Sequence, residues 1–257
     1  MGDAAEHVYF HICRALGRLL RSARYATAQI ATQGDRRQVR KHRAFYAPLL
    51  LWPAGWLMRI LDTGVRILQQ REWAERERLV YASVHGSSIR IEKDGTLVLP
   101  CLAGRTLAAL LEDQELDGSI RGRAVALALA GLSEFHRLGF THGDAMAENV
   151  LIDLESGVAR WFDFETVHDP NRSTAWRRAD DLRALLATCL IRTAPEVHAA
   201  TIRDVVDACP DVETADALRG SFGSVWRRSL TFHLAQAELS LRSFREIGRL
   251  LREQPDR

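Results

Sequence analysis

Lysine is almost missing from this sequence. Of its 35 basic residues only Lys41 and Lys93 are lysines, the other 33 being arginines, so chemistry that needs a compact ammonium group has two candidates. Cysteine is sparse as well. Cys13, Cys101, Cys189 and Cys209 are far apart and form no C-x-x-C pair, which argues against a zinc knuckle or a disulfide framework and fits a reducing cytoplasm. Long hydrophobic runs are absent: the most apolar stretch, APLLLWPAGWLM at 47–58, is too short for a bilayer and contains two prolines. Residues 7–24 interleave arginines with apolar residues, unlike a signal peptide. Neither charge dominates, since the formal net charge is +2, and this gives no push toward nucleic acid. No repeat or low-complexity tract occurs, and no G-x-G-x-x-G motif is present.

What is present is a chain of 257 residues, 47% apolar and 26% charged, enough for a substantial core in two packed lobes or one large domain. The pattern over His7–Arg24 predicts a basic amphipathic helix, with Val8, Ile12, Ala15, Leu16, Leu19 and Leu20 on one face. Residues 25–43 predict two strands around a Gly34-Asp35 turn, with Val39 and Lys41 on the same face of the second. A loop rich in Trp and Pro follows. The segment Arg66–Tyr81 predicts a charged helix with Leu68, Trp73, Leu79 and Val80 buried. Residues 88–100 predict a hairpin turning at Asp94-Gly95, and a helix is expected from about Thr106. After Gly122 a buried helix runs to Gly139. Strands at 149–153 and 158–165 flank a Ser156-Gly157 turn and bring Asn149 close to Asp163. Beyond Pro170 the pattern is helical, including a terminal segment from about Ser221 to Glu253. The sequence thus reads as α+β, with its natural boundary near Cys101–Gly104.

The densest chemistry lies in HGDAMAENVLID, residues 142–153, and WFDFE, residues 161–165. A carboxylate fixed at a strand end, Asp163, and a neutral oxygen from Asn149 suit a hard divalent cation. Asp144, five residues before Asn149, suits a group that orients or deprotonates a hydroxyl. Taken alone, His142-Gly143-Asp144 is a common turn.

These two segments resemble the catalytic core of the protein-kinase-like superfamily, in which a His-x-Asp-x-x-x-x-Asn loop precedes an Asp-Phe-Gly element by a short hairpin. His142, Asp144 and Asn149 match the loop, and Asp163 with Phe164 matches the second element. Glu165 stands where glycine is usual and Gly143 where arginine is usual. In this the chain is more similar to atypical kinases acting on small molecules, sugars and lipopolysaccharide than to eukaryotic protein kinases. The strand QVRKHR and the Arg71-Glu72-Trp73 helix look like the corresponding parts of lipopolysaccharide-core (Kdo-type) kinases.

The resemblance implies a bilobal protein-kinase-like fold: an N-terminal helix at 1–24, a small strand-rich N-lobe at 25–102 and a mainly helical C-lobe at 103–257. It implies ATP and Mg2+ as cofactors, Asp144 as the catalytic carboxylate, and Asn149 and Asp163 as metal ligands. Lys41 becomes the phosphate-binding lysine with Glu72 as its helix partner, and Pro100, Cys101 and Leu102 the hinge whose backbone meets the adenine. Asp181 is expected to brace the catalytic loop. The expected acceptor is a hydroxyl on a sugar or glycolipid. Two alternatives stand beside it, an atypical bacterial protein serine/threonine kinase and a pseudokinase scaffold. Arg172, Arg177 and Arg178 offer either a grip on an anionic acceptor or a solvated face. Trp52 and Trp56 suit either a membrane interface or a cap on the small lobe, so a cytoplasmic location with peripheral contact at an anionic inner membrane face is part of the expectation.

Overall fold

The structure, a computed structural model, describes residues 26–33, 36–60, 62–221 and 241–253, together with Val8, His11, Ile12 and Ala15. The remainder of the expected helix at 7–24, the Gly34-Asp35 turn and residues 222–240 of the terminal segment lie outside the described residues.

Strands β1 (Ala26–Gln33) and β2 (Arg36–Arg43) pair antiparallel, with Ile30 opposite Val39. Helix α1 (Ala47–Ile60), strand β3 (Val65–Ile67), helix α2 (Gln70–His85) and the hairpin strands β4 (Arg90–Ile91) and β5 (Leu97–Pro100) follow. Strand β5 returns to β2, with Leu99 opposite Val39, and completes an antiparallel sheet in the order β1-β2-β5-β4.

The stretch expected as a Trp/Pro loop is helix α1. Pro48 lies in its first turn, where an amide hydrogen has no intrahelical use, and Pro53 lies inside it but faces solvent. What holds the helix is its inner stripe, Ala47, Leu51, Ala54 and Met58, buried against Val65 and Ile67. Tertiary burial overrides the local cost of the proline.

Helix α2 begins later than expected, at Gln70, because Arg66 belongs to strand β3. Gln69 and Glu72 form a capping box that satisfies the first free amides, and Gly86, at φ 59°, closes the other end. Its buried face is Trp73, Ala74, Glu77, Val80 and Tyr81. Leu79, expected inside, is exposed because it falls off that face. The following hairpin turns through three residues rather than two. Gly95 donates to Glu92 O at 2.9 Å, so Lys93 and Asp94 form the turn and Gly95, at φ 82°, takes the left-handed bulge position.

The second part opens with strand β6 (Arg105–Thr106) and helix α3 (Leu107–Glu112), capped by the Thr106 hydroxyl accepting from Ala109 N. Helix α4 (Gly118–Arg137) starts before Gly122 because Asp117 caps it, accepting from Ser119 N and Ile120 N. Strands β7 (Val150–Asp153), β8 (Val158–Trp161) and β9 (Thr166–His168) come next. Then follow helices α5 (Thr174–Leu190), α6 (His198–Asp207), α7 (Val212–Ser221) and α8 (Leu241–Arg252). Strands β6, β7 and β8 form one small sheet, while β9 pairs with the distant β3, His168 opposite Val65.

The chain is therefore α+β, an N-terminal antiparallel sheet followed by a largely helical region. One contiguous core runs through both parts, joining Trp73 and Leu97 to Phe135, Val150, Trp161 and Leu185. Each such side chain contributes about 1.5–3 kcal/mol by leaving water. Among the described residues no helix is long and apolar enough to cross a membrane.

Candidate active site

Strand β2 aims Val39, Lys41 and Arg43 toward one side by its period of two. Lys41 and Val39 line a cleft of about 1040 Å³ whose walls include Tyr81, Leu99, Leu151 and Phe162. Pro100, Cys101 and Leu102 line the same cleft. The Cys101 amide is engaged, donating to Arg37 O at 3.3 Å. The Leu102 amide makes no backbone hydrogen bond among the described residues.

Lys41 is buried, and its Nζ lies 2.8 Å from Glu77 Oε1 and 2.8 Å from Asp163 Oδ1. Burial disfavours the ammonium, but Asp163 and Glu77 outweigh it and raise its pKa above the ordinary lysine value. Burial likewise opposes ionisation of Asp163, and the Lys41 charge overcomes it, holding that carboxyl below its usual range. This corrects the expected partner. Glu72 is half-exposed, bonds to Arg66 at 3.1 Å and caps the helix, whereas Glu77, five residues onward, lies on the inner face with Trp73 Nε1 donating to it at 3.3 Å.

Asp163 sits two residues past the end of β8, with φ 69°. Such a left-handed conformation costs a non-glycine residue about 1–2 kcal/mol, and here it directs the carboxylate at Lys41. Phe162 N donates to Asn149 O at 3.0 Å, which sets Asn149 opposite the neighbour of Asp163. The Asn149 side-chain nitrogen donates to both Asp144 O at 2.9 Å and Asp144 Oδ2 at 3.0 Å. Two acceptors there fix the amide orientation and turn its oxygen away from Asp144.

The loop hangs from helix α5. The Asp181 carboxylate accepts from His142 N and Gly143 N, each at 2.8 Å, and contacts His136 Nε2 at 2.9 Å. Burial opposes its charge, yet the surrounding histidines and donors pull its pKa down to about 2. Gly143 adopts φ 83°, and an added Cβ would lie 3.2 Å from the Val167 carbonyl carbon. A side chain at this position would be strained by the backbone conformation and would have to displace the β9 backbone by a few tenths of an ångström. His142 is fully buried, its Nε2 bonded to Phe162 O and its Nδ1 accepting from Asp144 N. Burial pushes its pKa down to about 4. With both nitrogens committed it is a structural residue and not a base.

Sequence reasoning missed several supports. Arg43, buried, donates to Leu68 O and Glu165 Oε2 and stacks 4.4 Å over the Trp73 ring. His168 bridges Thr141 Oγ1 and Asp180 Oδ2. The three arginines Arg172, Arg177 and Arg178 do not converge. They engage Asp62, Thr174 and Asp211 respectively. Lys93 lies in the exposed hairpin turn, away from the cleft residues.

No protein-family model matches this chain, and no curated protein matches it significantly.

Proposed function

We propose that the chain is a phosphotransferase of the protein-kinase-like kind, dependent on ATP and Mg2+, acting on a hydroxyl of a sugar or lipopolysaccharide-type glycolipid. One observation carries the reading: Lys41 Nζ holds Glu77 and Asp163 at once, each at 2.8 Å, on the wall of the large cleft. On this reading the antiparallel sheet and the helical region are the two lobes, and the cleft takes the nucleotide.

Lys41 binds the non-transferred phosphates, and Glu77 keeps its ammonium in place. The backbone from Pro100 to Leu102 meets the adenine edge, while Val39 and Leu151 sandwich the ring. Asp144 orients the acceptor hydroxyl and receives its proton. Mg2+ fits the donors present. It prefers hard oxygens and is commonly shared between one or two side chains and substrate phosphates. Asp163 offers a carboxylate and Asn149 an amide oxygen turned away from Asp144. Among the described residues no cluster of three or more His, Cys, Asp or Glu suits a metal, in keeping with a cation held jointly with the nucleotide. When bound, the cation supplies neutralisation of the phosphate charge. The sugar or glycolipid acceptor rests on the similarity of the β2 strand and the Arg71-Glu72-Trp73 helix to lipopolysaccharide-core kinases.

A second reading, a pseudokinase scaffold, is favoured by the Arg43–Glu165 pair at 3.1 Å, which locks the position where glycine is usual. The decisive experiment incubates the protein with ATP, Mg2+ and either envelope glycolipids or cytosolic protein. Phosphate is expected in the glycolipid fraction, reduced about 100- to 10,000-fold in Asp144→Ala and lost in Asp163→Ala and Lys41→Met. Nucleotide binding that is undetectable, or indifferent to Mg2+, selects the scaffold.

A further inference from the structure

Arg43 is buried at the end of β2, and it touches each element that carries the charged cluster of the cleft. It shares β2 with Lys41, two residues away and on the same face. Its Nη1 donates at 2.6 Å to the carbonyl of Leu68, which immediately precedes the Gln69 cap of helix α2. Its guanidinium lies 4.4 Å over the ring of Trp73, and Trp73 Nε1 donates to the same Glu77 oxygen that Lys41 grips. Its Nη2 donates at 3.1 Å to Glu165 Oε2, two residues past Asp163. The Leu68 amide also donates to Glu165 O at 2.8 Å, so backbone and side chain join the same two residues.

We propose that Arg43 is a positioning residue: by tying Leu68, Trp73 and Glu165 to β2, it sets the spacing at which Lys41 meets Glu77 and Asp163. The inference rests on the phosphotransferase reading and adds to it a residue that lies outside the cleft lining.

Stability alone does not call for an arginine here. A charge taken out of water is costlier to bury than an apolar side chain of similar volume, and Arg43 Nε has no acceptor among the described residues. What the guanidinium supplies is shape. A planar fork reaches two acceptors in different directions while its face rests on an indole, which neither an ammonium nor an apolar chain does. Such geometry matters because Lys41 and Asp163 act on phosphate and cation only at hydrogen-bond distance. Outer groups that orient such residues are commonly worth about 10- to 100-fold in metal affinity or activity.

The test compares the native protein with Arg43→Met, Arg43→Lys and Glu165→Gln, first by ADP release from ATP with an envelope glycolipid fraction across a Mg2+ titration. Arg43→Met should lose about 10- to 100-fold in kcat and need more Mg2+ for half its maximal rate, because Asp163 is no longer held. Arg43→Lys should restore neither quantity. Glu165→Gln, which leaves Arg43 and its packing in place, should move both the same way by less. A merely structural arginine would lower the folded fraction and leave the Mg2+ dependence unchanged. The second measurement needs no turnover. Lys41 and Lys93 are the two lysines of the chain, so acetic anhydride labelling reads the buried Lys41 against the exposed Lys93. The ratio should rise several-fold in Arg43→Met and in Glu165→Gln. A risen ratio with no ADP release by the native protein would keep the role of Arg43 in placing Lys41 and remove the phosphotransferase reading instead. The proposal is overturned if labelling and Mg2+ dependence stay native in Glu165→Gln and in a folded Arg43→Met. If Arg43→Met does not fold, Glu165→Gln alone decides. A rate that rises when the bridge is cut also overturns it, since the pair would then be a lock.

Discussion

Glu77 and Glu72 are five positions apart on one helix, and their surroundings set opposite outcomes for the same substitution. Glu77 is fully buried beneath Lys41, so Glu77→Gln leaves an ammonium with one counter-charge fewer in a dry site and should destabilise the fold by about 3 kcal/mol. Glu72 is half-exposed against Arg66, and Glu72→Gln should cost about 0.5 kcal/mol. Urea denaturation of both variants checks the pair, and an equal loss would contradict the geometry. His142 gives a pH prediction. Its folded pKa is about 4 against an ordinary 6.5, so between these values the unfolded chain takes up a proton that the folded chain refuses. Stability is full above about pH 6.5 and falls as the pH drops toward 4, by on the order of 3 kcal/mol. Asp181, at about 2 against 3.8, adds a further loss below that window. The slope of the urea midpoint between pH 7 and 4.5 should flatten in His142→Gln, whose amide can still donate to Phe162 O. At this scale Lys41, Asp144, Asn149 and Asp163 were legible because spacing and scarcity singled them out. Glu77 was not, because a buried glutamate looks polar to any pattern that equates inside with apolar.

The elements were legible where period and caps agreed, as in the β1–β2 pair, helix α3 behind Thr106 and the β7–β8 hairpin. They were obscure where tertiary contacts decide. Strands β3 and β9, three residues each, carry too little sequence to show a period and exist because they pair with each other. Helix α1 was hidden by Pro53, whose local signal loses to the burial of Met58 and Leu51. Helix α4 offers a test of packing against propensity. At Gly122 an added Cβ meets nothing within 4 Å, whereas at Gly131 it would lie 2.9 Å from the Ala159 Cβ on β8. Gly122→Ala should stabilise by about 0.5–1 kcal/mol through helix propensity. Gly131→Ala should destabilise by about 1–3 kcal/mol by wedging helix from sheet. Thermal denaturation should show midpoints moving in opposite directions.

Across the whole molecule, the order of a strand-rich part before a helical part was readable from periodicity, while the way the chain closes on itself was not, since pairing partners far apart leave no local mark. A ligand that binds only the folded chain raises its stability by about 2.7 kcal/mol at a hundredfold excess over Kd, roughly 5–10 °C for a chain of this size. MgATP should therefore raise the melting temperature of the native protein, EDTA should reverse the gain, and Lys41→Met should abolish it. No shift in the native protein would tell against the nucleotide site. Strand β3 pairs with β9 across a hundred residues of chain, beside the Arg43–Glu165 and Arg76–Thr141 contacts. The two halves are thus pinned together along one flank, as a clamshell is by its ligament. Widening the cleft at that flank would have to break the Val65–His168, Arg66–Val167 and Ile67–Thr166 pairing.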